Sequence, residues 1–136
     1  QNELSSILET IINDVEIVKD YLGNVYLPEF EFNNIGGFNI EQGYQIKLTN
    51  QHTLNITGHT APTSSTIPEG WFIFTPQTSN LQNIEVLFED HTTDIVIVKD
   101  YLGNVYLPDW EFNGIGNIEN GNAYQIKSNA DFSINW

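Results

Sequence analysis

The sequence predicts an α+β protein with mainly antiparallel sheets, built as two tandem repeats of a small sheet with one short helix each. Three observations predict this fold class. Residues 17–28 recur unchanged as residues 97–108, an offset of 80 positions. Short runs of β-branched and aromatic residues are separated by turns rich in Gly and Asn. A stretch ahead of each recurring block has apolar residues at the spacing of an amphipathic helix.

The repeat sets the domain organisation that we expect. Residues 14–56 align with residues 94–136 without a gap, and more than half of the aligned positions are identical. The identities cluster in three blocks, which indicates a shared physical constraint, although recombination confined to one block would leave the same pattern. We therefore predict repeat unit 1 at 1–56, a Thr, Ser and Pro linker at 57–69, and repeat unit 2 at 70–136.

The recurring block predicts a β-hairpin in each unit. Residues 15–18 form the first strand, either Gly23 or Asn24 allows positive φ in the turn, with Gly103 or Asn104 in the second copy, and Pro28 ends the second strand. The second copy of the first strand, at 95–98, is apolar throughout, so we expect it to be buried on both faces.

Further strands follow the hairpin. A loop rich in Gly and Asn at 33–43 leads to a strand at 44–48, whose residues are expected to alternate between two faces. A last strand is expected at 53–56, matched by a strand at 132–136 in the second unit.

Helix candidates precede both hairpins. The apolar residues keep i, i+3, i+4 spacing, and Asn2 and either Ser79 or Asn80 are the expected N-caps. The apolar positions are Leu4, Ile7, Leu8, Ile11 and Ile12 in the first copy and Leu81, Ile84, Leu87 and Phe88 in the second.

Unit 2 is predicted to have one strand more than unit 1. Residues 71–74 form this additional strand, and the corresponding positions in unit 1 would lie before residue 1. The sheet of unit 1 is therefore predicted to have an open edge. We expect either that another chain supplies the missing strand or that residues 71–74 cross to unit 1.

Composition limits the partners and the location. Four Lys and no Arg stand against 18 Asp and Glu, and the net charge of −14 disfavours binding to nucleic acid and anionic lipid. No run approaches the roughly 18 apolar residues of a membrane span, so membrane insertion is not expected. Without Cys there is no disulfide framework. The absence of Met indicates a processed or excised chain, and the N-terminal Gln favours a mature secreted protein over a fragment, so we expect an extracellular or cell-surface location.

The recurring blocks resemble a known repeat. Four stretches carry the resemblance. They are Gly-Trp at 70–71, Ile-Val-Lys-Asp-Tyr-Leu-Gly-Asn-Val-Tyr-Leu-Pro at 97–108, Trp-Glu-Phe-Asn-Gly-Ile-Gly at 110–116 and Tyr-Gln-Ile-Lys at 124–127. It is similar to a repeat of large secreted and surface proteins of Bacteroidetes and related marine bacteria. The resemblance covers most of 70–136 and, without the Gly-Trp strand, 4–56. It implies an extracellular accessory module and no particular activity. Ala123 departs from the pattern that Gly43 follows, which predicts a less tight turn.

All four lysines occupy repeat-equivalent positions. We expect each to be a charge partner for a nearby carboxylate such as Asp20 or Glu31. An isopeptide link to Asn or Asp is the alternative, and intact mass would detect it. The equivalent pairs are Lys19 with Lys99 and Lys47 with Lys127.

The hairpin turns contain fragments of a calcium loop. The spacing does not fit an EF-hand, and six to eight oxygen ligands are not apparent, so a plain β-turn is the main expectation and calcium the alternative. No other cofactor is expected. The weak calcium candidates are Asp20, Asn24, Asp100 and Asn104.

The chain is not expected to be an enzyme. With 18 acidic residues some carboxylates lie close together by chance, so a pair suited to glycoside hydrolysis is only a weak candidate. The histidines lack HxH or HExxH spacing, and no Ser or Thr lies in a nucleophile elbow. The carboxylates near the hairpin exits are Glu29, Glu31, Asp109 and Glu111.

Aromatic residues along the hairpin exits are the strongest binding candidates. Period-2 spacing predicts that the rings of Phe30 and Phe32 lie on one face. An open face would stack on sugar rings, whereas a closed face would belong to the core. The full set is Tyr21, Tyr26, Phe30 and Phe32 in unit 1 and Tyr101, Tyr106, Trp110 and Phe112 in unit 2.

These features favour a non-enzymatic extracellular structural repeat. We expect a stalk, spacer or filament subunit of a secreted or surface assembly, such as a cell appendage or a virion fibre. Its partners would be other copies of the chain or other repeats of a longer chain, joined by strand addition. The alternative is a carbohydrate-binding or adhesive module that binds polysaccharide through the hairpin aromatics.

Overall fold

The structure, a computed structural model, describes residues 3–59 and 61–136, which divide into two compact units. Of these residues, unit 1 contains 3–40 and 44–59, and unit 2 contains 41–43 and 61–136. Every strand pair in the described ranges is antiparallel and the helices are short, which confirms the predicted α+β, mainly antiparallel fold class. No helix in these ranges is long and apolar enough to cross a membrane.

Unit 1 is a four-stranded sheet with a helical segment ahead of it. The strand order is β3-β2-β1-β4. The elements are α1 (Leu4–Ile7), a 3₁₀ segment (Glu9–Asp14), β1 (Val15–Lys19), β2 (Val25–Leu27), a second 3₁₀ segment (Pro28–Phe30), β3 (Phe32–Asn33) and β4 (Gln45–Leu48).

The helical segment buries the face that its spacing predicts, but it is not one continuous α-helix. Leu4, Leu8 and Ile11 are buried and join the sheet residues Val18 and Tyr26 in one core cluster. The α-helix ends after one turn and a 3₁₀ segment follows, because the β-branched run at 10–12 and the Asn and Asp after it are weak helix formers. The expected cap at Asn2 lies outside the described residues.

Unit 2 is a five-stranded sheet accompanied by two short strand pairs. The main order is β10-β9-β8-β12-β6, and the pairs are β11 with β7 and β13 with β5. The elements are β5 (Ser64–Ile67), β6 (Gly70–Phe74), β7 (Gln82–Asn83), α2 (Ile84–Leu87), a 3₁₀ segment (Glu89–His91), β8 (Ile95–Lys99), β9 (Val105–Leu107), another 3₁₀ segment (Pro108–Trp110), β10 (Phe112–Asn113), β11 (Asn117–Ile118), β12 (Tyr124–Ser128) and β13 (Phe132–Asn135).

Two sequence predictions for unit 2 are wrong in detail. The helix starts at Ile84 rather than near Leu81, which is exposed, because Asn83 caps it by accepting a hydrogen bond from Glu85 N at 2.9 Å. The strand predicted to be buried on both faces has Val96 37% exposed, since only one face of β8 meets the core.

The predicted linker contains a strand. Within 57–69, β5 pairs with β13, and its alternate residues Ser65 and Ile67 are buried. By contrast, residues 53–56 form no strand. In unit 2 the copies of 53–55 lie in β13, which pairs with β5.

The additional strand predicted at 71–74 is present as Gly70–Phe74. It pairs with β12 inside unit 2, with Trp71 opposite Lys127 and Phe72 opposite Ile126. Its other edge is also partly paired within the same unit, because Gly43 N donates to Ile73 O at 2.9 Å.

Asp14, which directly precedes β1, is hydrogen-bonded to residues that follow β4. Its carboxylate accepts hydrogen bonds from Thr49 Oγ1 at 2.7 Å, Asn50 Nδ2 at 2.9 Å and His52 Nε2 at 2.5 Å. The Thr49 bond, followed by those from Asn50 and His52, lowers the pKa of the Asp14 carboxyl from 3.8 to about 2.

The lowered pKa predicts acid sensitivity of unit 1. Because the folded pKa lies below the unfolded one, Asp14 stabilises unit 1 above about pH 4, and this contribution should be lost as the pH falls from 4 towards 2. Asp14→Asn should flatten the dependence of the free energy of unfolding on pH in that range, measured by urea titration with circular dichroism. Asp109→Asn, the same change at an exposed acid, is the control, and equal profiles for the two variants would contradict the prediction.

Candidate functional site

The aromatic candidates divide into a buried and an exposed set. Tyr26 and Tyr106 lie in the cores of the two units, and burial raises the pKa of both hydroxyls. Tyr21 is half-buried. The other five rings, which belong to Phe30, Phe32, Tyr101, Trp110 and Phe112, are exposed.

Two of the exposed rings at the hairpin exits, Phe30 and Trp110, do not lie on a strand. Phe30 ends the 3₁₀ segment Pro28–Phe30, and Glu31 follows in the left-handed region with φ of 51°. The period-2 argument for Phe30 and Phe32 is therefore wrong, because it assumed extended backbone. The exposure is nevertheless large: Phe30 is 71% and its copy Trp110 80% exposed. These two rings are not part of the core.

An aspartate organises each hairpin turn. Asp20 Oδ1 accepts hydrogen bonds from Leu22 N at 2.9 Å and Asn24 N at 2.8 Å, and its Oδ2 accepts one from Asn24 Nδ2 at 2.8 Å. Asp100 makes the same three bonds at 3.0, 2.8 and 2.8 Å. Gly23 and Gly103 take the predicted positive φ, 87° and 90°. The carboxylate oxygens proposed for calcium thus bind amide donors, as in a plain turn.

Asparagines close the segment after each hairpin. Asn33 Oδ1 accepts from the amides of Ile35 and Gly36 at 3.1 and 3.0 Å. Asn113 accepts from the equivalent amides at 3.1 and 2.8 Å. The carbonyl of Gly36 then accepts from Leu4 N at 3.3 Å, which links the hairpin exit to the start of the helix.

The lysines of unit 2 lie beside a tryptophan. Lys99 Nζ is 5.2 Å and Lys127 Nζ 5.9 Å from the centroid of the Trp71 ring. These distances allow cation–π attraction, worth about 0.5–1 kcal/mol per cation at an exposed site. Sequence reasoning missed this contact, because the three residues lie on three adjacent strands.

The lysines of unit 1 have different surroundings. Lys47 Nζ lies 2.6 Å from Glu16 Oε2, and both side chains are largely exposed, so the pair contributes at most about 1 kcal/mol. Neither Asp20 nor Glu31 forms an ion pair within the described residues, so these expected partners are wrong. Glu16, whose position Val96 takes in the second copy, was not among the expected partners.

The edge of the unit 1 sheet leaves an apolar residue exposed. Among the described residues, β4 has β1 as its only strand partner, whereas its copy β12 lies between β8 and β6. Ile46 on β4 is accordingly 45% exposed, and the equivalent Ile126 on β12 is fully buried. The same side chain is thus core in one unit and surface in the other.

A groove lies between the helical segment and the last segment of each unit. Its volume is about 570 Å³ in unit 1 and about 460 Å³ in unit 2. Equivalent lining positions include Glu9 with Glu89 and Asn55 with Asn135. Sequence analysis did not identify this groove. In the described residues, no three His, Cys, Asp or Glu side chains cluster to hold a metal.

Comparison with known proteins gives no relative. No protein-family model, curated protein or solved structure matches this chain.

Asp100→Ala should destabilise unit 2 by about 1–2 kcal/mol, because three N–H donors lose their acceptor. Asp100→Asn, which can keep the Oδ1 acceptor, should cost less. Urea unfolding followed by tryptophan fluorescence measures both, since all three tryptophans lie in unit 2. Asp109→Ala is the control, and a loss as large as that of Asp100→Ala would exclude the turn as the cause.

Proposed function

We propose that this chain is a non-enzymatic structural repeat that assembles by strand addition at the open edge of unit 1. The carrying observation is the exposure of Ile46 on an edge strand whose copy in unit 2 is covered by β6. An exposed edge offers unpaired N–H and C=O groups to another strand, and pairing there would also bury Ile46. The partner in this proposal is another chain.

An extracellular or cell-surface setting belongs to the same proposal. The absence of Cys, Met and Arg gives a surface with few oxidisable or tryptic sites, which suits a stalk, spacer or filament subunit outside a cell. The resemblance of the recurring blocks to a repeat of secreted bacterial proteins supports this setting. The two units repeat one hydrogen-bonded framework, which suits a structural array more than a catalytic centre.

The oligomeric state tests strand addition. Wild-type chain should form larger species with rising concentration, seen by light scattering and electron microscopy. Ile46→Lys should suppress them, because a charge at the edge opposes pairing, while changing the free energy of unfolding by less than about 0.5 kcal/mol. Val96→Lys, at a similarly exposed site on a strand paired on both sides, should still assemble. A wild-type chain that stays monomeric throughout would refute the proposal.

A second candidate function is binding to polysaccharide. Its specific support is the exposure of Phe30 and Trp110, equivalent rings that neither core uses. Aromatic rings that keep a flat face in water suit the apolar faces of sugars.

If the chain binds polysaccharide, removing the Trp110 ring should weaken that binding. Trp110→Ala should weaken retention of the chain on insoluble polysaccharide at least about tenfold, with little change in stability because the ring is exposed. Leu102→Ala removes a similarly exposed apolar side chain without a ring and should bind as wild type does. Absence of binding by the wild type to every polysaccharide on a glycan array would eliminate this candidate.

A further inference from the structure

In unit 2, strand β6 pairs with the edge of β12 that is equivalent to the open edge of β4 in unit 1. In the register of β6 on β12, Trp71 lies opposite Lys127 and Phe72 opposite Ile126. The Trp71 ring lies within 5.2 and 5.9 Å of two ammonium groups, those of Lys99 and Lys127. The strand therefore makes two kinds of contact: Phe72 covers the isoleucine, and Trp71 meets the cations.

Unit 1 presents the same two cations in the same register. On β1 and β4, Lys19 pairs with Gln45 and Ile17 with Lys47, as Lys99 pairs with Gln125 and Ile97 with Lys127 in unit 2. Register and residue type therefore place a second pair of lysines beside the edge of β4.

Lys47 has a substitute partner in place of an aromatic ring. It pairs with Glu16, a residue that unit 2 replaces by Val96. Both side chains of this pair are exposed, at 70% and 41%, so an incoming ring could displace the carboxylate at little cost.

We propose that the edge of β4 binds a strand from another chain that carries an aromatic residue opposite Lys47 and a large apolar residue opposite Ile46. This inference rests on the proposed function, strand addition, and names the chemistry of the partner. An aliphatic strand would cover Ile46 but leave the lysines without attraction. An acidic strand would attract them but add negative charge to a chain that already carries −14.

Peptides with the sequence of residues 68–75 test the proposal on the full chain labelled with ¹⁵N. The wild-type peptide should shift the amide resonances of Gln45–Leu48. A peptide with Trp71→Leu should bind about five- to thirtyfold more weakly, from the loss of two exposed cation–π contacts. Resonances of Tyr124–Ser128 report separately on any exchange with β6 in unit 2.

Variants of the chain separate the cations from the backbone pairing. Lys19→Met and Lys47→Met should weaken binding of the wild-type peptide to the chain but not binding of the Trp71→Leu peptide. Lys127→Met, the matched change in unit 2, should leave binding at β4 unaltered.

The outcomes distinguish this inference from the proposed function. Equal affinity of the two peptides, with no effect of the lysine variants, would overturn the aromatic preference and leave strand addition intact. Tighter binding of a Trp71→Glu peptide would overturn it in favour of an acidic partner. No shift at Gln45–Leu48 with any peptide would overturn strand addition itself.

Discussion

One carboxylate at the start of each hairpin turn fixes the register on which both units depend. Asp20 and Asp100 each accept three hydrogen bonds from their own turn. This turn sets Val18 opposite Tyr26. Because side chains alternate along a strand, a slip of one residue would put Val18 and Tyr26 on opposite faces of the sheet, so that one of them would turn towards solvent. The turn therefore decides which side chains form the core and which stay at the surface.

The blocks that the two copies keep identical are the parts of this hydrogen-bonded framework. After the hairpin, Asn33 and Asn113 hold the next two amides, and Gly36 accepts from the first helical residue. The tyrosine hydroxyl that begins the last block accepts a backbone amide in each unit, from Asn39 at 2.8 Å and from Glu119 at 3.0 Å. The bonds that recur in the flanks, such as Leu4 N to Gly36 O and Ile84 N to Gly116 O, use backbone atoms alone. They do not require identical side chains, so the flanks could diverge.

Features set by neighbouring residues could be predicted from the sequence, and features set by distant partners could not. Gly23 and Pro28 suffice to predict the hairpin. Strand Ser64–Ile67 lies in a segment with the Thr, Ser and Pro composition of a linker, and it forms by pairing with the distant Phe132–Asn135. The candidate site divides in the same way: the repeated lysines are visible in the sequence, but their contact with Trp71 requires the register of three strands. In so acidic a sequence, the expected partner of each lysine is a carboxylate and not a tryptophan ring.

Lysine at an exposed sheet edge ordinarily opposes unwanted pairing. Lys47, with Lys19 on the adjacent strand, would have this effect in unit 1, because a strand without a group that attracts cations must bring its own groups close to two exposed ammonium groups. In the assembly that we propose, a strand with an aromatic residue replaces that penalty with attraction, as Trp71 does in unit 2. The same two side chains then oppose general aggregation and favour one class of strand. The specificity of the edge follows from where its charges lie as well as from the apolar surface it covers.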